Sequence, residues 1–163
     1  MIWKFQDYKI LLLAWMLLCG QANASEPYTA KVIHISDGDT IKVLTENKEQ
    51  IKIRLAEIDT PERKQPWGNK AKQALSEFTS QKMVTVSPVT TDRYGRTIAH
   101  IYVGDLNVNK EMVRTGNAWV YRKYLKDNSL LAIEAEAMEA KRGLWALAEA
   151  ERVPPWEWRI KNK

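Results

Sequence analysis

The chain has 163 residues, 45% of them hydrophobic, and a formal net charge of +5 at pH 7. That length holds one compact domain rather than two, and the composition excludes a largely disordered chain. The modestly basic balance suits an anionic partner such as nucleic acid or an anionic surface, without choosing between them.

Lys4 and Lys9 precede an apolar run from Ile10 to Leu18, and Ala22-Asn23-Ala24 follows it. A basic start, a short apolar stretch and a small-residue site predict a secretory signal peptide over residues 1–24, cut after Ala24. The run is too short for an ordinary membrane span. Leu18 stands where a lipidation site at Cys19 would want a small residue. Cys19 is the only cysteine and leaves with this segment, so the exported domain, residues 25–163, holds together by packing without a disulfide. Without Lys4, Lys9 and Asp7 it keeps 23 basic residues against 19 acidic ones. The expected location is periplasmic or secreted, with no membrane attachment after cleavage.

Tyr28 to Ser36 reads as a first strand, Asp37-Gly38-Asp39 as a tight turn, and Thr40 to Thr45 as the returning strand. After a turn at Asn47-Lys48-Glu49, Ile51, Ile53 and Leu55 alternate with Lys52 and Arg54 in a third strand predicted to reach Ile58. Arg54 then points away from the face that the aliphatic residues bury. Pro61 cannot donate to a sheet and keeps Thr60 extended, so pairing should stop there. Asn69 to Gln81 has the apolar spacing of an amphipathic helix with Asn69 as its cap. Met83 to Val89 and Thr97 to Val103 are the fourth and fifth strands, joined by the polar turn Asp92-Arg93-Tyr94-Gly95-Arg96; Pro88 marks a free edge or an irregular end.

Val108 to Thr115 reads as a helix capped by Asn107 and ended by Gly116. A third helix runs from its cap Ser129 to Arg142, with Ile133, Ala137, Ala140 and Leu144 on one face; Glu134 and Met138 do not share it. The tail around Pro154-Pro155-Trp156-Glu157-Trp158 reads as extended, its tryptophans covering core. The expected fold is mainly β with helices (α+β): a five-stranded OB-type barrel with three α-helices.

Acidic residues fall in two groups, Asp37 with Asp39 and Asp59 with Glu62, which a meander can bring together. Carboxylates plus the Thr60 carbonyl would form a hard-oxygen site of the kind Ca²⁺ or Mg²⁺ takes. With His34 and His100 as the only histidines, zinc or copper lacks ligands. Arg54 and Arg96 facing such a cluster would suit a phosphodiester, because arginine grips phosphate oxygens bidentately. Phosphoester cleavage demands a barrier reduction on the order of 20 kcal/mol. One preorganised donor supplies roughly 3–4 kcal/mol, so the groups must act together. Glu62 is then placed to orient or deprotonate water. Arg93-Tyr94 and Tyr121-Arg122-Lys123-Tyr124 interleave cations with aromatics, a pattern for single-strand binding as well as for a solvated loop with packed tyrosines. Taken alone, Arg54 to Glu62 is most simply a charged strand end with a proline turn.

Asp37-Gly38-Asp39-Thr40, Arg54-Leu55, Ile58-Asp59-Thr60-Pro61-Glu62 and Asp92-Arg93-Tyr94-Gly95-Arg96 together closely resemble the thermonuclease (staphylococcal or micrococcal nuclease) family. The similarity continues through Val108 to Gly116 and on to Gly143-Leu144-Trp145. It implies an OB-fold barrel with three helices and Ca²⁺-dependent hydrolysis of DNA and RNA to products with 3′-phosphates. By position, Asp39, Asp59 and the Thr60 carbonyl resemble the calcium ligands. Arg54, Glu62 and Arg96 resemble the catalytic residues, and Arg93, Tyr94 and Tyr124 the positions that hold the nucleotide's other phosphate and its base. The loop after Glu62 is shorter and less lysine-rich than in the staphylococcal enzyme, and Arg122 lies where that enzyme has a tyrosine, with Tyr121 adjacent. The Pro155 to Trp158 tail extends beyond that enzyme. No stable protein partner is expected, and the chain is expected to be a monomer. The competing expectation is a catalytically silent OB-fold module that only binds nucleic acid.

Overall fold

The computed structural model describes residues 26–162. The expected signal peptide lies outside them. Strands β1 (Tyr28–Asp37), β2 (Thr40–Leu44) and β3 (Gln50–Leu55) form the expected antiparallel meander. β4 is the short Ile58–Asp59, and after helix α1 (Gly68–Thr79) come β5 (Met83–Thr91) and β6 (Thr97–Val103). β5 pairs with both β1 and β6. β3 and β6 then pair in parallel, Ile53 with Thr97 and Leu55 with Ala99, and close five strands into a barrel. Closure leaves these strands no long free edge. The expected barrel is therefore present.

Period-two alternation fills the barrel: Ile41, Val43, Ile53, Leu55, Val84, Val86, Ala99 and Ile101 are buried. Pro88 falls beyond the residues of β5 that pair with β1, at a register shift against β6, so its missing N–H breaks no ladder. β7 (Leu106–Asn107) leads into helix α2 (Val108–Arg114), whose cap Asn107 accepts from the Lys110 N–H at 3.0 Å as expected. β8 (Trp119–Val120) pairs with β4, and helix α3 (Ser129–Glu139) and helix α4 (Pro155–Lys161) follow. No helix among the described residues is long and apolar enough to cross a membrane.

Three expectations fail locally. The third strand does not run through to Ile58, because Glu57 takes a left-handed conformation (φ 64°) and breaks it after Leu55. The tail is a helix, giving four α-helices rather than three among the described residues: Pro155 occupies the first turn, where no N–H is needed, and buries its ring. Glu134, expected off the buried face of α3, is 1% exposed because it accepts the Val120 N–H at 2.8 Å and pairs with Arg122 at 2.6 Å. The boundaries of α1 and α3 also shift. α1 starts at Gly68 behind Trp67, and α3 starts with Ser129 inside it and stops at Glu139.

Two contacts align the loops around the barrel mouth. A Cβ on Gly38 would fall 2.7 Å from Thr60 Oγ1 and 2.8 Å from Ala71 Cβ, so only glycine lets the β1–β2 turn lie against Thr60 and α1. Asn109 of α2 donates to the carbonyls of Ala56 (3.0 Å) and Ala99 (3.1 Å) and accepts from the Ile101 N–H (3.0 Å). It fixes the point where β3 breaks against β6.

Candidate active site

The Gly38 contact places Asp39 on the segment that follows β4. Its Oδ2 accepts from the Thr60 N–H (3.0 Å) and the Thr60 hydroxyl (3.1 Å), and Oδ1 accepts from the Thr40 hydroxyl (3.0 Å). Arg54 leaves the outer side of β3 and lies between the two acidic groups. Nη2 is 2.8 Å from Asp59 Oδ1 and 3.4 Å from Asp39 Oδ2, while Nη1 donates to the carbonyls of Leu55 (3.0 Å) and Ile58 (2.9 Å). The strand break is what turns the Leu55 and Ile58 carbonyls toward this guanidinium. Arg54 is thus held at both amino groups, with its side chain 13% exposed.

Electrostatics follow burial. Burial works to raise Asp39, but the charge of Arg54 and the Thr60 N–H outweigh it, and the net direction is down. Burial and the neighbouring Asp39 charge push Asp37 up to about 6. Burial also raises Asp59, against the opposing hydrogen bond from Arg159. Buried carboxylates that ionise with difficulty mark a place where added positive charge is favourable.

Glu62 sits on the loop after Pro61, where its N–H donates to Gln65 Oε1 at 3.0 Å and Gly68 packs under its carbonyl. Its carboxylate is 42% exposed and reaches the cleft. Arg96, at the head of β6, turns back on its own hairpin: Nε donates to Asp92 Oδ2 at 2.8 Å, and the guanidinium lies 5.7 Å from the Tyr94 ring. The Arg93 guanidinium lies 5.6 Å from the centroid of the same Tyr94 ring. Tyr124 meets Tyr121 edge to face at 4.9 Å. One cleft of about 1190 Å³ is lined by all nine residues singled out in the sequence: Asp39, Arg54, Asp59, Thr60, Glu62, Arg93, Tyr94, Arg96 and Tyr124.

Three residues of the cleft went unnoticed in the sequence or were given no role. Glu57 Oε1 accepts the backbone N–H groups of Lys126 and Asp127, Oε2 lies 3.2 Å from His100 Nε2, and its own carbonyl accepts the Tyr121 N–H at 2.8 Å. It clamps the 121–127 segment to the barrel as one wall of the cleft. His100, assigned no catalytic role from the sequence, lies in that wall, and burial lowers it despite Glu57. Arg159 comes from α4 and binds Asp59 Oδ2 at 2.6 Å and Glu62 Oε1 at 2.7 Å. A basic residue three positions after Trp156 on a proline-started helix was the one available signal. Arg122, by contrast, is spent on Glu134 and on the Val120 carbonyl.

Two carboxylates, Asp39 and Asp59, and the backbone carbonyl of Thr60 are hard oxygen donors of the kind that would suit a divalent cation. Among the described residues no three acidic, histidine or cysteine side chains form a ready-made metal cluster. Such an ion would therefore rest on this mixed set.

Residues 52–147 match the family described as Staphylococcal nuclease homologue. A protein of Escherichia coli O157:H7 described as an uncharacterized endonuclease is 38% identical over 157 residues, covering 96% of this chain and 97% of its own. A Haemophilus influenzae protein with the same description is 41% identical over 157 residues, covering 95% of this chain and 87% of its own. A micrococcal nuclease of Shigella flexneri is 40% identical over 161 residues, covering 92% and 91%. A closed barrel with its carboxylates and arginines at one mouth, and relatives matching along nearly the whole chain, lead to one assignment: this chain belongs to the staphylococcal nuclease family and is a nuclease.

Proposed function

We propose that this nuclease is exported and hydrolyses DNA and RNA in a Ca²⁺-dependent reaction that leaves 3′-phosphates. The observation that carries this reading is the Arg54 guanidinium set between Asp39 and Asp59 with Glu62 in the same cleft. Asp39, Asp59 and the Thr60 carbonyl would hold the cation, which when bound supplies Lewis-acid polarisation of a phosphoryl oxygen. Arg54, already fixed by two backbone carbonyls, donates to a phosphate oxygen with little reorganisation, where charge accumulates as phosphorus becomes pentacoordinate. Arg96 exchanges its Asp92 contact for a second phosphate oxygen.

Glu62 orients the attacking water and takes its proton as the new P–O bond forms. The bond from phosphorus to the 5′-oxygen breaks, that oxygen takes a proton from solvent water, and the phosphate stays on the 3′ side. Arg93 holds a neighbouring phosphate, and Tyr94 and Tyr124 offer ring faces to bases, a sugar-tolerant mode of contact. The basic start, apolar run and small-residue site within residues 1–24 support export, and the chain acts as a monomer without a stable protein partner.

The test is digestion of single- and double-stranded DNA and RNA in Ca²⁺ or in chelator, followed by end-group analysis. Cleavage of both sugars only with Ca²⁺, with phosphate on the 3′ end, is expected. Cleavage undiminished by chelator, or phosphate left on the 5′ end, contradicts the reading.

A further inference from the structure

Helix α4 lies beyond the matched residues 52–147, yet its Arg159 lines the cleft. Its approach is fixed by aromatic packing. Trp156 stacks on Tyr121 with centroids 5.4 Å apart and planes 2° from parallel, and meets Trp119 edge-on at 6.0 Å. Trp119 in turn packs on the buried Trp145 at 4.4 Å and is the β8 residue paired with Asp59. Pro155 is buried, and Gln65 donates its side-chain amide to the Val153 carbonyl. Trp156 and Arg159 are three residues apart and share a helix face. The anchor that holds Trp156 therefore aims Arg159 at Asp59.

Arg159 takes hold of the carboxylates as a fork. Nη2 donates to Asp59 Oδ2 at 2.6 Å, and Nη1 donates to Asp59 Oδ1 at 3.2 Å and Glu62 Oε1 at 2.7 Å. Asp59 Oδ1 also accepts from Arg54, so both oxygens of this carboxylate already face guanidinium groups. A divalent ion on Asp59 needs one of the same oxygens. Two cations that require one carboxylate compete, and each weakens the other by the same factor.

We propose that Arg159 is a tethered counter-cation that competes with the divalent metal for Asp59, so that helix α4 sets the metal concentration at which the site fills. This rests on the reading of Asp39, Asp59 and Thr60 as the cation site. When the metal enters, the Arg159 fork opens and α4 keeps its anchor at Pro155 and Trp156. Glu62 is released in the same event, so metal entry also frees the group that handles water.

Direct binding distinguishes this from a structural ion pair. Ca²⁺ titrations by calorimetry compare the wild-type protein with Arg159→Gln and Arg159→Lys, all of which retain Pro155 and Trp156. Arg159→Gln should bind Ca²⁺ roughly tenfold more tightly, within the usual range of coupling between two ligands, and Arg159→Lys should fall between. In the wild-type protein alone, Ca²⁺ should speed amide hydrogen exchange across Pro155–Lys161. Equal or weaker Ca²⁺ binding by Arg159→Gln, or exchange in α4 that Ca²⁺ leaves unchanged or slows, overturns the competition while leaving the cation site standing. Absence of Ca²⁺ binding in all three proteins overturns both.

Discussion

Arg54 on the floor of the cleft makes four polar contacts with its side chain 13% exposed, whereas Tyr94 on the rim stands 74% exposed in a hairpin turn. Asp39, Asp59 and Thr60 share the burial of Arg54; Tyr124, 54% exposed, shares the freedom of Tyr94. The floor is built before substrate arrives, with each charged group already held in place. Such preorganisation is useful where charge develops in the transition state. The rim has few fixed partners, which suits a polymer whose bases vary. On the proposed reading, chemistry and substrate holding belong to different kinds of structure, carried on separate segments of the chain.

Substitutions can test that division. The largest effect is expected from Arg54→Ala, which should lower kcat about 10²–10³-fold, the usual loss for one preorganised donor, while nucleic-acid affinity measured in Ca²⁺ changes much less. A variant that loses affinity and keeps kcat would move Arg54 from floor to rim. Gly38→Ala attacks the floor through packing: its Cβ has no room against Thr60 and Ala71. A stability loss of about 1–3 kcal/mol in chemical denaturation is expected for overpacking of this kind. An unchanged denaturation midpoint would mean that the turn does not need its close approach.

On the rim, Tyr94→Ala and Tyr124→Ala should each raise KM, by about 1–3 kcal/mol of lost base stacking, with kcat nearly preserved. A fall in kcat at constant KM would give these rings a part in the chemistry. The smallest effect concerns the wall. Burial lowers His100 below its ordinary value of 6.5, with Glu57 and Asp127 opposing and Lys110 and Lys126 reinforcing the shift. Between the lowered value and 6.5 the unfolded chain binds more protons, so stability is full above about 6.5 and declines as pH falls through the folded value. His100→Gln should flatten that part of the stability–pH curve, at a scale of at most about 1.4 kcal/mol per pH unit. An identical slope in both proteins would remove His100 as its source.

The floor was the legible half. Alternation in β3, the Asp37-Gly38-Asp39 turn and Pro61 are local signals, and a meander of the strands they mark can bring Asp39 and Asp59, with Arg54 and Glu62, to one end. What stayed hidden depends on long-range partners. Glutamate has no preference for the left-handed conformation that Glu57 adopts, so nothing local announces the break in β3; the N–H groups of Lys126 and Asp127 justify it. Glu134 breaks the apolar pattern of α3 because its partners, Val120 and Arg122, lie on a preceding segment. Two adjacent prolines suggest an extended tail, but Pro155 opens a helix once Trp156 has an aromatic surface to dock on. Arg159 could be tied to Asp59 only through that docking.

The central claim is that Asp39 and Asp59 hold the cation that the cleavage requires. Its most direct test is a Ca²⁺ titration of the cleavage rate of one defined single-stranded oligonucleotide, with wild-type protein and with Asp39→Asn. The wild-type rate should rise from background with Ca²⁺ and saturate. Asp39→Asn should need far more Ca²⁺ and reach a lower plateau. An Asp39→Asn titration that overlays the wild-type curve, or full wild-type activity in chelator, would contradict it.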